Sequence, residues 1–144
     1  MSASHAAYDV FRWVRPLHRA AEHVVATSLE GTLVGLGGRA LLERLDDVGP
    51  QTVPQLAAWL GVSRQAVQKV VDDAIARGIL ATRPNPRHRR SHLVEATADG
   101  AALFRDLHER ELDDLTTLTH GIPEEDLRTT ARVLEQLTAA LQSR

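Results

Sequence analysis

Two groups of side chains have types and spacing suited to reading a polyanion. The first lies in SRQAVQKVVDDAIARG, residues 63–78. At about 100° per residue, Gln65, Gln68, Lys69 and Asp72 share one side of a helix, with Arg64 at its edge. Glutamine presents a donor and an acceptor together. That suits an adenine edge, as Arg or Lys suits a guanine. Taken alone, the stretch is also what an ordinary solvated helix surface looks like. The second group is Arg87, Arg89 and Arg90 in PNPRHRRSH, flanked by His88 and His92. Like charges held this close repel, so such a tip is costly unless an anion visits it. Arginine enters a minor groove most favourably where the groove is narrow and its potential negative.

Charge is distributed to match. The chain carries a formal charge of −2, yet residues 61–95 hold seven basic and three acidic groups, a net of +4, against −6 elsewhere. Such asymmetry is what local binding of a polyanion needs. With 144 residues, 43% hydrophobic and 25% charged, the sequence reads as one ordinary globular domain, residues 1–144. It has no cysteine, which excludes disulfides and thiolate metal sites. No apolar run approaches the roughly 20 residues that span a bilayer. The start, MSASHAAYDVFRW, lacks the features of a signal peptide, so a cytoplasmic protein with no membrane partner is expected. Arginine supplies all basic residues but Lys69, which, with abundant alanine, suggests a GC-rich bacterial genome.

These groups must be held by regular elements. Ser63 is a good N-cap and Gly78 a good C-cap. Between them Val67, Val70, Val71, Ala74 and Ile75 form an apolar stripe. Upstream, residues 5–27 read as a helix with Val10, Trp13, Val14, Leu17, Ala21, Val24 and Val25 on one side. Gly31, Gly35, Gly37 and Gly38 precede a second helix at about 38–48. Thr52 caps a short third, VPQLAAWLG. Beyond Gly78 the period changes, and ILATR and SHLVEAT read as strands around the arginine-rich turn. Thr97 then caps a helix over about 98–119. Pro123, Glu124 and Glu125 open a last one, with Leu127, Leu134, Leu137 and Leu141 on its apolar side. The end helices have no obvious partner in the middle of the chain and must bury their stripes somewhere. Packing them together and against a second copy is the economical solution.

Ala57, Gly61 and Val67 have the spacing of a helix-turn-helix. Ala57 permits close approach, Gly61 a positive-φ turn, and Val67 closes the wedge, with Leu56, Leu60, Val62 and Val70 around it. The hairpin that follows makes a wing. The expected fold is therefore mainly α with a small β-hairpin wing: a winged helix-turn-helix over 33–97, flanked by dimerisation helices at 5–27 and 98–143.

Histidines near acids, His18 with Glu22 and His23, and His108 with Glu109 and Glu111, supply no compact four-ligand set. No phosphate loop, nucleophile motif or carboxylate pair is evident. No catalytic residue, metal or other cofactor is expected. Tyr8, Phe11, Trp13, Trp59 and Phe104 are expected in the core or a dimer interface.

At TVPQLAAWLGVSRQAVQKVVDDAIARGIL and RPNPRHRRSHLVEATADG the sequence resembles the MarR family of winged-helix regulators, and the resemblance covers nearly the whole chain. It implies a homodimer on a palindromic double-stranded DNA operator, with recognition helices in major grooves and wings in minor grooves. It implies a ligand-responsive repressor. Carried over by position, Ser63, Arg64, Gln65, Gln68 and Lys69 face the groove. Arg90 matches the wing arginine, with Arg87 and Arg89 beside it. A small-molecule effector pocket, typical of the family, would draw on Trp13, Leu17 and His18. Two departures stand out. His88 replaces the Asp that commonly fixes the wing arginine. Ala74 replaces a Leu, with Ile75 placed to fill the gap. Asp72, outward beside the glutamines, is expected to pair with a wing or neighbouring arginine. The alternative function is a winged-helix module that binds protein rather than an operator.

Overall fold

A computed structural model describes residues 2–144 and resolves eight elements: α1 (Ala3–Ser28), α2 (Leu36–Val48), α3 (Val53–Leu60), α4 (Arg64–Ala76), β1 (Leu80–Pro84), β2 (His92–Ala96), α5 (Ala98–Leu118) and α6 (Glu124–Gln142). This is the expected order of four helices, a hairpin and two helices. The chain is mainly helical, with a two-stranded antiparallel hairpin in the register Leu80↔Ala96 to Pro84↔His92. Contacts group the chain into two compact units, one ending at His108 and one spanning Glu109–Arg144. No helix among the described residues is long and apolar enough to cross a membrane.

The first unit owes its core to the stripes of α2, α3 and α4 and to the base of the hairpin. Leu41, Leu42, Leu56, Val67, Val71, Ile79, Leu80 and Val94 are almost wholly inaccessible. Ala57 and Ala74 are buried with them, and Phe104 and Leu107 of α5 complete the cluster. Caps fix the helix starts. Thr52 and Gln55 form a reciprocal capping box on α3. Ser63 Oγ accepts the Ala66 N–H at 3.1 Å. Gly61 takes φ +67°, the left-handed turn that separates α3 from α4. Gln51 adds a bridge to Val94, with backbone bonds in both directions. It was not visible as a strand because one residue between Pro50 and a cap shows no period.

Several expectations need correction. Val62 and Ile75 are exposed, not core. Ala74 itself meets the core, so no larger side chain fills the place of the family's Leu. α2 begins at Leu36, so Gly37 and Gly38 lie in its first turn instead of ahead of it. Among the described aromatic side chains Phe104 lies in the core, one of the two expected places, while Tyr8, Phe11 and Trp13 are exposed in the single chain and Trp59 is partly so, with the Arg44 guanidinium 5.2 Å from its ring centroid. α1 has no buried residue, although Pro16 in its middle leaves the helix continuous.

The start of α5 is tied to the end of α4. Thr97 Oγ1 donates to the Gly78 carbonyl at 2.6 Å and accepts the Gly100 N–H at 3.0 Å. Gly100 is buried so close to β1 that a Cβ on it would lie 2.0 Å from the Ile79 carbonyl oxygen. Since the obstacle is backbone, relief requires α5 to move. Gly100→Ala should therefore cost about 3 kcal/mol, the upper end of the overpacking range. Urea unfolding followed by circular dichroism measures it, and a loss under about 1 kcal/mol would mean that α5 shifts freely.

Candidate nucleic-acid interface

The second helix of the helix-turn-helix presents its polar face as expected. Arg64, Gln65, Gln68 and Lys69 are all exposed along α4. Ser63 stands at its N-cap with the hydroxyl oxygen engaged, which leaves its O–H free to donate. The free N–H groups of the helix start add partial positive charge there.

The hairpin tip carries Arg87, Arg89 and Arg90, all exposed. Its shape is set by a residue the sequence reading passed over. Asn85 is buried, and its Nδ2 donates to Ser91 Oγ at 2.9 Å while its Oδ1 accepts the Arg87 N–H at 3.0 Å. The Asn85 N–H donates to the Ser91 carbonyl, and the Ser91 N–H and hydroxyl donate to the His88 carbonyl. These bonds close the turn from within. Position 88 therefore contributes a backbone carbonyl to the brace, and among the described residues no carboxylate pairs with Arg90. The signal available in the sequence was Asn before Pro, with Ser six residues on, a pattern that favours side-chain-closed turns.

Two grooves flank the hairpin. One, of about 480 Å³, runs between the start of α3, α4 and the wing and is lined by Gln68, Asp72, Arg90 and His92. The other, of about 530 Å³, is lined by Gln55, Arg83, Arg87 and His88. The fold thus brings Gln68 and Arg90, 22 positions apart, onto one concave surface and sets Arg87 on the far side of the wing. Trp13, Leu17 and His18 are not part of either groove. They lie exposed on α1, where His18 Nε2 is 3.2 Å from Glu22 Oε1. Among the described residues, no three His, Asp or Glu side chains converge as a metal site.

Ion pairing separates two kinds of cation in this region. Arg77 pairs with Asp73 and Arg83 with Glu95. Arg64, Lys69, Arg87, Arg89 and Arg90 have no acidic partner among the described residues. Unpartnered arginines also occur on α1 and α5, so the distinctive feature is the concentration of five cations around one helix start and one hairpin tip. Asp72 does not pair with an arginine as expected; it accepts from Gln68 Nε2 at 2.8 Å.

The sequence profile of the MarR family matches residues 39–91. An uncharacterized protein of Mycobacterium tuberculosis is 35% identical over 92 residues, 64% of either chain. The multiple antibiotic resistance protein MarR of Salmonella typhimurium is 30% identical over 87 residues, 60% of either chain. The matched stretch thus spans just under two thirds of these relatives. Among solved structures, a MarR family transcription regulator superposes with TM-score 0.79 at 29% identity, over 97% of this chain and 93% of that one. A mutant of MarR from E. coli, complexed with operator DNA, superposes with TM-score 0.75 at 20% identity, over 95% and 99%. The capped α3–α4 pair and the arginine-tipped hairpin fall within or next to the profile match, and the fold likeness extends over nearly the full length. The chain is similar to MarR family proteins in sequence over residues 39–91 and in fold over nearly its full length.

Proposed function

We propose that this protein is a sequence-specific double-stranded DNA-binding transcriptional regulator, a homodimer that represses from a palindromic operator and is relieved by a small molecule. The observation that supports the reading is the groove lined by both Gln68, whose amide suits a base edge, and Arg90, a cation without an acidic partner among the described residues. In this reading Ser63, Arg64, Gln65, Gln68 and Lys69 enter the major groove, and Arg87, Arg89 and Arg90 work at the minor groove and its phosphates. Residues 33–97 are the DNA-reading part of a single domain. The helices at 5–27 and 98–143 join two copies, since α1 and α6 have no buried residue and both carry apolar stripes. The operator-bound E. coli relative supports the DNA partner by analogy. A ligand would act by favouring one spacing of the two recognition helices, which shifts the population between DNA-competent and incompetent states. Trp13, Leu17 and His18 are the proposed ligand contacts.

Selection of bound duplexes from a random DNA pool tests this. The expected product is a motif with two-fold symmetry, its half-sites about one helical turn, roughly 34 Å, apart. Binding without enrichment of any sequence would leave only a non-specific electrostatic role. No binding at all would favour a protein partner.

A further inference from the structure

Asp72 is out of place in a DNA-facing surface. It is exposed on the same side of α4 as Gln68 and lines the same groove, where a carboxylate repels phosphates. No cation among the described residues neutralises it; its partner is the Gln68 side chain four residues back, with Nε2 donating to Oδ1 at 2.8 Å. An ionised carboxylate only accepts, so this contact settles which way the Gln68 amide is turned: the NH2 faces Asp72. One of its two N–H groups is engaged. The other remains, together with the carbonyl oxygen.

We propose that Asp72 is a positioning residue that sets the base specificity of Gln68, restricting it to adenine. The inference rests on the reading of α4 as the base-contacting helix. One donor and one acceptor match the adenine edge, which offers N7 as acceptor and the N6 amino group as donor. Guanine offers two acceptors, N7 and O6, and satisfying both takes two donors. An unrestrained glutamine amide can turn both N–H groups outward; one held by Asp72 cannot. On an isolated helix a Gln–Asp pair at this spacing contributes little. In a groove from which water is displaced, the carboxylate needs its donor more, because leaving it unpaired carries the full desolvation cost. The same restraint orders the Gln68 side chain before binding, which lowers the entropy lost on contact.

The test uses the full chain in four forms: parent, Gln68→Ala, Asp72→Ala and Asp72→Asn. A random duplex pool first gives the motif, and titrations of duplexes changed at single positions then give the preferences. The parent should favour adenine over guanine by about tenfold or more at one position in each half-site, and Gln68→Ala should remove that preference. Asp72→Ala should bind adenine and guanine there within about threefold, whereas Asp72→Asn, whose carboxamide accepts from Gln68 in one orientation and donates to it in the other, should keep part of the parent preference. Both Asp72 variants remove an anion and should bind all sequences more tightly, so overall affinity does not distinguish them; base preference does. An undiminished adenine preference in Asp72→Ala overturns the proposal, as do equal losses in Asp72→Ala and Asp72→Asn, or a preference that survives Gln68→Ala. A parent protein that enriches no sequence removes the DNA reading itself, and this proposal with it.

Discussion

Replacing Arg87, Arg89 and Arg90 together by alanine should lower DNA affinity by at least about a hundredfold near 0.1 M salt, because each lost phosphate contact releases about 0.9 fewer counterions on binding. The slope of log K against log salt should flatten by about that amount per contact, and a dimer loses each contact twice. None of the three side chains has an acidic partner among the described residues, so their removal breaks no ion pair in the folded chain. Stability should stay within about 0.5 kcal/mol of the parent. Asn85→Ala is the complementary variant. It keeps all three charges and removes the two side-chain bonds that brace the tip. Affinity should fall severalfold while the salt slope remains that of the parent. A triple variant whose affinity and slope both match the parent would return the hairpin to a solvated turn.

That contrast shows where the sequence was legible and where it was not. The arginines were visible because charge is local: three guanidiniums in four positions attract notice whatever surrounds them. Asn85 was not, because its role depends on closure of the turn, which brings Ser91 back to it. The helices were legible for the same local reasons. Caps at Thr52, Ser63 and Thr97 and the positive-φ Gly61 act within one turn of the backbone. The apolar period fails at its edges. It assigns Ile75 to the stripe and Val62 to the core, yet both are exposed, since period alone does not say how wide a face the neighbouring helix covers. Gly100 also gave no signal, as its constraint is a carbonyl oxygen 21 positions away. In the candidate interface, residue types were readable and pairings were not. Asp72 lies at the same helical spacing from Gln68 as Asp73 does from Arg77. Only the folded chain shows that Gln68 is its partner, where the sequence suggested an arginine.

The second large effect concerns assembly. Trp13 and Leu17 are 62% and 61% exposed on α1. In a single chain, changing Leu17 to Glu should alter stability by no more than about 0.5 kcal/mol, as at other open surface positions. In a two-fold dimer the same change occurs twice. If Leu17 is covered by a second copy, each lost leucine removes about 1.5–3 kcal/mol of burial. The dimer then weakens by roughly 3–6 kcal/mol, which is about a hundredfold to ten-thousandfold in its dissociation constant. Sedimentation at micromolar concentration should find the parent as a dimer and Leu17→Glu as a folded monomer. The DNA readout should follow. The variant should lose most of its advantage on a two-fold symmetric duplex and bind a single half-site as the parent's isolated winged helix would, since α1 is absent from the grooves beside α4 and the wing. A monomeric parent at that concentration would remove both the interface and the palindromic operator. A dimeric Leu17→Glu would keep the operator and move the interface to another face of the end helices.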